Sequence, residues 1–149
     1  MVLLGACSKK SDDATPTPAA TTYASSWTAD GTNYTATTST TNVSNNILQI
    51  ALIQTSGTNS NFASLTVPAA TGTYTLGNTN SYVAGYTMTV GGTTTSYGAG
   101  GGFGGSGTIT VTTFSATEVI GTFAFTGANA SNPGGASKVI TNGKFSIKR

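Results

Sequence analysis

No histidine occurs anywhere in this chain. Ser-His-Asp and Cys-His catalysis are thereby excluded, as are His-ligated zinc and iron sites, because each needs an imidazole as base or ligand. Cys7 is the only cysteine, so no internal disulfide framework can form. Charge is scarce as well. Asp, Glu, Lys and Arg make up 7% of the residues, against about 25% in ordinary soluble domains. The net charge of +2 is split between Lys9 and Lys10 near the start and cations near the C-terminus. That leaves no basic face of the kind that neutralises phosphates, and nucleic acid is not an expected partner. Beyond position 13 the only carboxylates are Asp30 and Glu118. Two carboxylates make a poor calcium cage, and they serve glycoside hydrolysis only when both face one cleft. No catalytic residue, metal site or cofactor is expected, and the chain reads as a non-enzyme. No apolar run approaches the roughly 18 residues that a spanning helix requires.

What is present begins at the N-terminus. Leu4-Gly5-Ala6-Cys7 has the form of a bacterial lipobox, an aliphatic residue and two small ones before a cysteine. Small residues before a cut site suit a signal peptidase pocket. Residues 1–6 then read as a truncated lipoprotein signal peptide, since the usual basic region and full apolar stretch are missing. Cys7 is the expected lipidation site. Each buried methylene adds about 0.8 kcal/mol of membrane affinity and two acyl chains give stable anchoring. A triacylated Cys7 would therefore hold a soluble domain on a bilayer, with the outer membrane as the expected location and the membrane itself as the expected partner. Residues 7–22 are expected to form a flexible tether, because Ser, Thr, Ala and Pro cannot bury enough surface to offset their ordering entropy. Ser8 to Asp13, with the acidic pair Asp12 and Asp13, resembles the charged export signal of surface lipoproteins.

Residues 23–149 read as one all-β domain. Period-two alternation, β-branched residues and Gly or Asn punctuation recur without a trustworthy helical period. Asp30-Gly31 between two short apolar runs predicts a type I′ hairpin, which needs positive φ at both central residues. Leu48, Ile50 and Leu52 share a face. Phe62, Leu65 and Val67 mark a strand ending at Pro68, and Tyr74 and Leu76 lie on one side of another. Tyr82 to Val90 alternates and Gly91-Gly92 reads as a turn. Ile109 and Val111 form one face, and Val119, Gly121, Phe123 and Phe125 form the next. Asn142-Gly143 predicts a turn or bulge in the last strand. About eight to ten short strands at this spacing predict an antiparallel β-sandwich or barrel.

The tract Gly98 to Gly107 formally contains G-x-G-x-x-G, but it lacks a following helix and any G-K-[ST], so it reads as a flexible hairpin loop. Phe103 in its centre is a ring able to dock on the domain or on a partner. Trp27, Tyr34, Tyr82, Tyr86, Tyr97 and Phe103 are the candidate ligand-binding residues. Exposed in a row, they would offer sugar-stacking faces; buried, they would be ordinary strand packing.

Five segments together resemble an uncharacterised family of small Bacteroidetes-type cell-envelope lipoproteins: W-T-A-D-G-x-x-Y at Trp27 to Tyr34, G-T-Y-T-L-G at Gly72 to Gly77, G-T-I-T-V-T at Gly107 to Thr112, G-T-F-A-F-T at Gly121 to Thr126, and I-T-N-G-K-F at Ile140 to Phe145. The resemblance implies a lipid-anchored all-β domain of unknown function and defines no catalytic residues. The expected role is structural or interactive at the cell surface, with another envelope protein as partner. The alternative is a carbohydrate-binding lipoprotein that captures glycan.

Overall fold

The computed structural model describes residues 23–149. The leader, Cys7 and the expected tether lie outside the described residues. Eleven strands form one antiparallel sheet curled into a half-barrel: β1 (Ser26–Ala29), β2 (Thr32–Thr35), β3 (Thr38–Ser44), β4 (Ile47–Ser56), β5 (Asn59–Pro68), β6 (Gly72–Leu76), β7 (Val83–Val90), β8 (Thr93–Ala99), β9 (Ser106–Phe114), β10 (Glu118–Asn129) and β11 (Lys138–Lys148). The all-β antiparallel class is as the sequence predicts, with one strand more than the upper expectation. The addition is β3, whose Thr, Ser and Asn residues show almost no apolar alternation.

The spatial order is β2-β1-β11-β10-β8-β7-β5-β4-β3, with β6 and β9 branching from β10. Two limbs result. One is β2-β1-β11-β10-β9-β6, and the other is β3-β4-β5-β7-β8. β10 belongs to both. Its edge away from β11 pairs with β9 from Val119 to Thr126 and with β8 at Ala128 and Asn129. The limbs also meet at the β2–β3 corner, where the Ala36 amide donates to the Ser25 carbonyl and the Thr37 amide to that of Ile53.

Tight turns set the registers. Asp30 and Gly31 have φ of 44° and 84°, the type I′ geometry expected from their sequence. Asn45-Asn46 and Gly91-Gly92 also carry positive φ at both positions. Asn142 at φ 51° marks a bulge in β11, where the pairing with β10 slips between Phe123 and Phe125. Alternation then sends Leu48, Ile50, Leu52, Leu65, Val67, Ile109, Val111, Val119, Phe123, Phe125, Phe145 and Ile147 inward to one core. Phe123 stacks on both Phe125 and Phe145, with centroids 6.4 Å apart in each pair.

Phe62, Leu65 and Val67 lie in one strand ending at Pro68, as expected, but on different faces. Asn61, Ala63, Leu65 and Val67 point inward, and Phe62 lies half-buried on the outer face. One sequence expectation requires correction: the glycine tract does not close a hairpin. β8 and β9 both run antiparallel to β10 along the same edge, so they are one strand direction with residues Gly100 to Gly105 looped out between them. This enlarged bulge lies where the chain passes from one limb to the other, as at the corners of sheets whose strands switch layers. Two of its glycines are required by close approach. A β-carbon on Gly100, at φ 77°, would fall 2.1 Å from the Tyr82 carbonyl oxygen; one on Gly105, at φ 45°, would fall 2.4 Å from that of Thr126.

The outer surface is polar without being charged. Facing hydroxyls pair across strands at Thr73–Thr110 (3.1 Å), Thr87–Ser96 (3.1 Å) and Thr89–Thr94 (3.0 Å). The stretch from Gly31 to Thr117 contains no charged residue. Every charge of the described residues therefore lies in β10, β11, the C-terminal arginine or the β1–β2 turn.

Candidate functional site

The Asp30-Gly31 turn places Trp27 opposite Tyr34, and their rings stack with centroids 5.8 Å apart. On the facing limb the register sets Tyr86 opposite Tyr97, at 6.5 Å. These four of the six candidate residues converge inside the half-barrel. They do not form an exposed row. Trp27 and Tyr86 are each 1% accessible, and Tyr34 and Tyr97 are half-buried at the rim. Inward alternation in strands covered by another limb buries such rings, which removes Trp27 and Tyr86 as sugar-stacking surfaces.

The cluster is polar at its centre. The Tyr86 hydroxyl donates to Asn61 Oδ1 at 2.6 Å, and Asn61 Nδ2 donates to Gln54 Oε1 at 2.9 Å. Burial holds the Tyr86 phenol well above the ordinary phenol range, with the nearby Tyr34 adding to the effect. Tyr86 is thus a neutral donor throughout the physiological range. The Trp27 indole N–H lies near the Tyr86 hydroxyl but makes no hydrogen bond. A buried donor left without a partner costs about 1–3 kcal/mol.

A charged latch closes one side. Lys138 Nζ lies 2.8 Å from Asp30 Oδ2 and 5.4 Å from the centroid of the Tyr97 ring. Asp30 Oδ1 also accepts from the Val139 amide at 2.9 Å, and the Asp30 amide donates to the Val139 carbonyl at 2.9 Å. The hydrogen bond to Lys138, then that from Val139, holds the Asp30 carboxyl below its usual range; the same bond to Asp30 raises the Lys138 ammonium above its own. Both groups are committed to joining the β1–β2 turn to the start of β11.

Tyr82 and Phe103 lie elsewhere. Tyr82 packs edge-on against Tyr74 at 5.2 Å, and the Tyr74 hydroxyl donates to the Ala70 carbonyl. Phe103 is 53% exposed, yet its ring covers Gly98. The carboxylates do not face one cleft. Asp30 joins the first residues of β11, whereas Glu118 pairs with Lys148 at its last. At about 3.3 Å per residue these sites are roughly 30 Å apart along the strand. Among the described residues, no three His, Cys, Asp or Glu side chains gather into a metal site.

Asn61, Gln54 and Lys138 are members of this cluster that the sequence reading did not single out. For Asn61 a signal existed: it has the same parity as Ala63, Leu65 and Val67. A polar residue on an apolar face is a candidate for a buried network. Lys138 carries no such signal, because its partner Asp30 is remote in sequence.

The described domain coincides with a known sequence unit. A family model, described as a domain of unknown function (DUF6252), matches residues 23–147. The chain belongs to the DUF6252 family. The match starts at Tyr23, before β1, and ends at Ile147 in β11, so the half-barrel is the DUF6252 unit. No curated protein and no solved structure matches the chain.

Proposed function

We propose that this DUF6252 domain is a lipid-anchored module of the bacterial cell envelope with a structural or interaction role and no catalysis of its own. The observation that carries the reading is Leu4-Gly5-Ala6-Cys7 followed by a Ser-, Thr- and Pro-rich segment and then a domain beginning at Tyr23. Acylation at Cys7 would supply essentially all the membrane affinity, and the outer membrane is the location proposed. The similarity to small Bacteroidetes-type lipoproteins points the same way. The geometry supports a non-catalytic role because Asp30 is tied to Lys138 and Val139, Glu118 accepts from the Tyr23 hydroxyl at 3.1 Å, and the two lie at opposite ends of β11. Glycan capture ranks second, since the aromatic residues that would carry it are mostly turned inward. The test restores a complete leader and follows the protein in membrane and soluble fractions. Cys7→Ala should move it to the soluble fraction; unchanged membrane retention would overturn the anchor.

A further inference from the structure

Among the described residues three strand edges are unpaired, and they are not equivalent. β2 and β6 are four and five residues long. β3 offers seven, Thr38–Ser44, and pairs only with β4. It has no Pro, no bulge against β4 and no charge, so it lacks the devices that usually protect an edge. Its open side borders a groove. One part, of about 600 Å³, lies between Ser39 to Val43 on one wall and Ala116, Lys148 and Arg149 on the other. The adjoining part, of about 320 Å³, shares Ser39 and Lys148 and leads back to Tyr23 and Ser25.

The electrostatics of this groove are simple. No charge comes from the β3 limb. Lys148 and Arg149 line the groove, and the carboxylate beside them is Glu118, opposite Lys148 in the β10–β11 register and accepting from the Tyr23 hydroxyl, which leaves these side chains net positive. Neither forms an ion pair among the described residues, where Asp30–Lys138 is the only one. Arg149 is held in place nonetheless: its guanidinium donates to the Ser115 carbonyl at 2.8 Å and lies 5.0 Å from the centroid of the Phe114 ring. A groove with an unpaired backbone edge on one wall and two cations on the other fits an occupant that brings its own backbone donors and acceptors together with negative side chains.

We propose that the groove beside β3 binds an extended, acidic peptide segment of a partner protein by strand addition, the peptide backbone pairing with Thr38–Ser44 and its carboxylates facing Lys148 and Arg149. Main-chain pairing supplies affinity in this mode, and alternate side chains supply selectivity. Seven residues span roughly 24 Å of strand, which sets the length of the recognised segment. The proposal rests on the reading of the domain as an interaction module, but it does not depend on Cys7. Loss of anchoring in the fractionation experiment would leave it intact.

The test uses the full 149-residue chain, amide-resolved NMR and a blocked heptapeptide of sequence Thr-Val-Asp-Val-Thr-Val-Asp. Two control peptides replace Asp by Lys or carry N-methyl groups at alternate residues. The expected result is saturable shifts of the Thr38–Ser44 amides, binding at least tenfold weaker for Lys148→Glu, and loss of binding for both controls. Lys148 is exposed, so that variant should fold; its unshifted core amides verify this. Equal binding of the N-methylated peptide would reduce the effect to surface charge attraction and overturn strand addition. Equal binding of the Lys peptide would overturn the acidic preference. Absence of binding at millimolar peptide would overturn the site, including the case in which another part of the chain already occupies the edge.

Discussion

The ring of Phe103 takes the space that a side chain at Gly98 would need. A β-carbon there would lie 2.7 Å from Phe103 Cγ and 2.9 Å from its Cβ, and no other group is as near. Gly98→Ala should therefore cost about 1–2 kcal/mol, in the range of overpacking substitutions. Phe103→Ser should cost about 1 kcal/mol, less than full burial would give because the ring is half-exposed. In the double variant the alanine penalty should largely disappear, giving a coupling of about 1 kcal/mol in a urea-unfolding cycle. Additive losses would show that the ring does not rest on this glycine.

Gly105→Ala tests the corner itself. Positive φ and a carbonyl oxygen in the way of Cβ both oppose the substitution, and a loss exceeding about 2 kcal/mol is expected from strain of this kind. A stability within error of the parent would restore the reading of the tract as a loose connection.

Gly31→Val addresses the β1–β2 turn. With φ at 84°, a β-branched residue should destabilise the domain by roughly 1 kcal/mol or more. No β-carbon clash adds to this, because nothing lies within 4 Å of the position. The urea midpoint is the measurement, and an unchanged value would contradict the turn geometry.

Much of this framework is legible in the sequence, and the gaps have physical causes. Asp30-Gly31, Gly91-Gly92 and the Asn142-Gly143 bulge are local, since backbone preference alone selects Gly, Asn and Asp there. The core faces of β4, β9 and β10 follow from period-two alternation. β3 escapes the same reading because its inward residues, Ser39, Thr41 and Val43, are mostly polar. The glycine tract misleads because close approach of a distant carbonyl, Tyr82 or Thr126, leaves no local signal. Trp27, Tyr34, Tyr86 and Tyr97 are legible as strand residues, whereas Tyr82 lies just before β7; only the pairing of limbs decides that Trp27 and Tyr86 are enclosed.

Tyr86→Phe removes the donor to Asn61 Oδ1 at the cluster's centre. The acceptor would then be left buried, and Asn61 is 9% accessible. A loss of about 1–3 kcal/mol is expected. Asn61→Leu in the same background should recover part of it, because an apolar group needs no partner. Failure of the leucine to recover stability would mean that the Gln54 contact, not the Tyr86 donor, dominates.

Asp30→Asn keeps a residue that tolerates the left-handed turn and removes the charge facing Lys138. The pair is partly exposed, so the loss at neutral pH should be a few tenths of a kcal/mol and no more than about 1. The sign of its pH dependence is fixed. The folded carboxyl titrates below its ordinary value of 3.8, so its contribution is complete above that value and fades as pH falls through the lower folded one. Parent and variant should differ near pH 7 and converge at the acid end. A gap that widens on acidification would contradict the ion pair.

The position of β1 decides how the domain meets a mechanical load. β1 lies between β2 and β11 and is hydrogen-bonded on both edges. Sheet bonds stand perpendicular to their strands. Tension drawn from the Tyr23 end therefore acts along β1 and shears both rows of bonds at once, where a peripheral hairpin would peel open bond by bond. The Asp30–Lys138 latch at the far end of β1 resists the same displacement. The first strand is thus fastened as a central stave rather than as a flap, and the load passes directly into β11 and from there into β10, the strand that both limbs share.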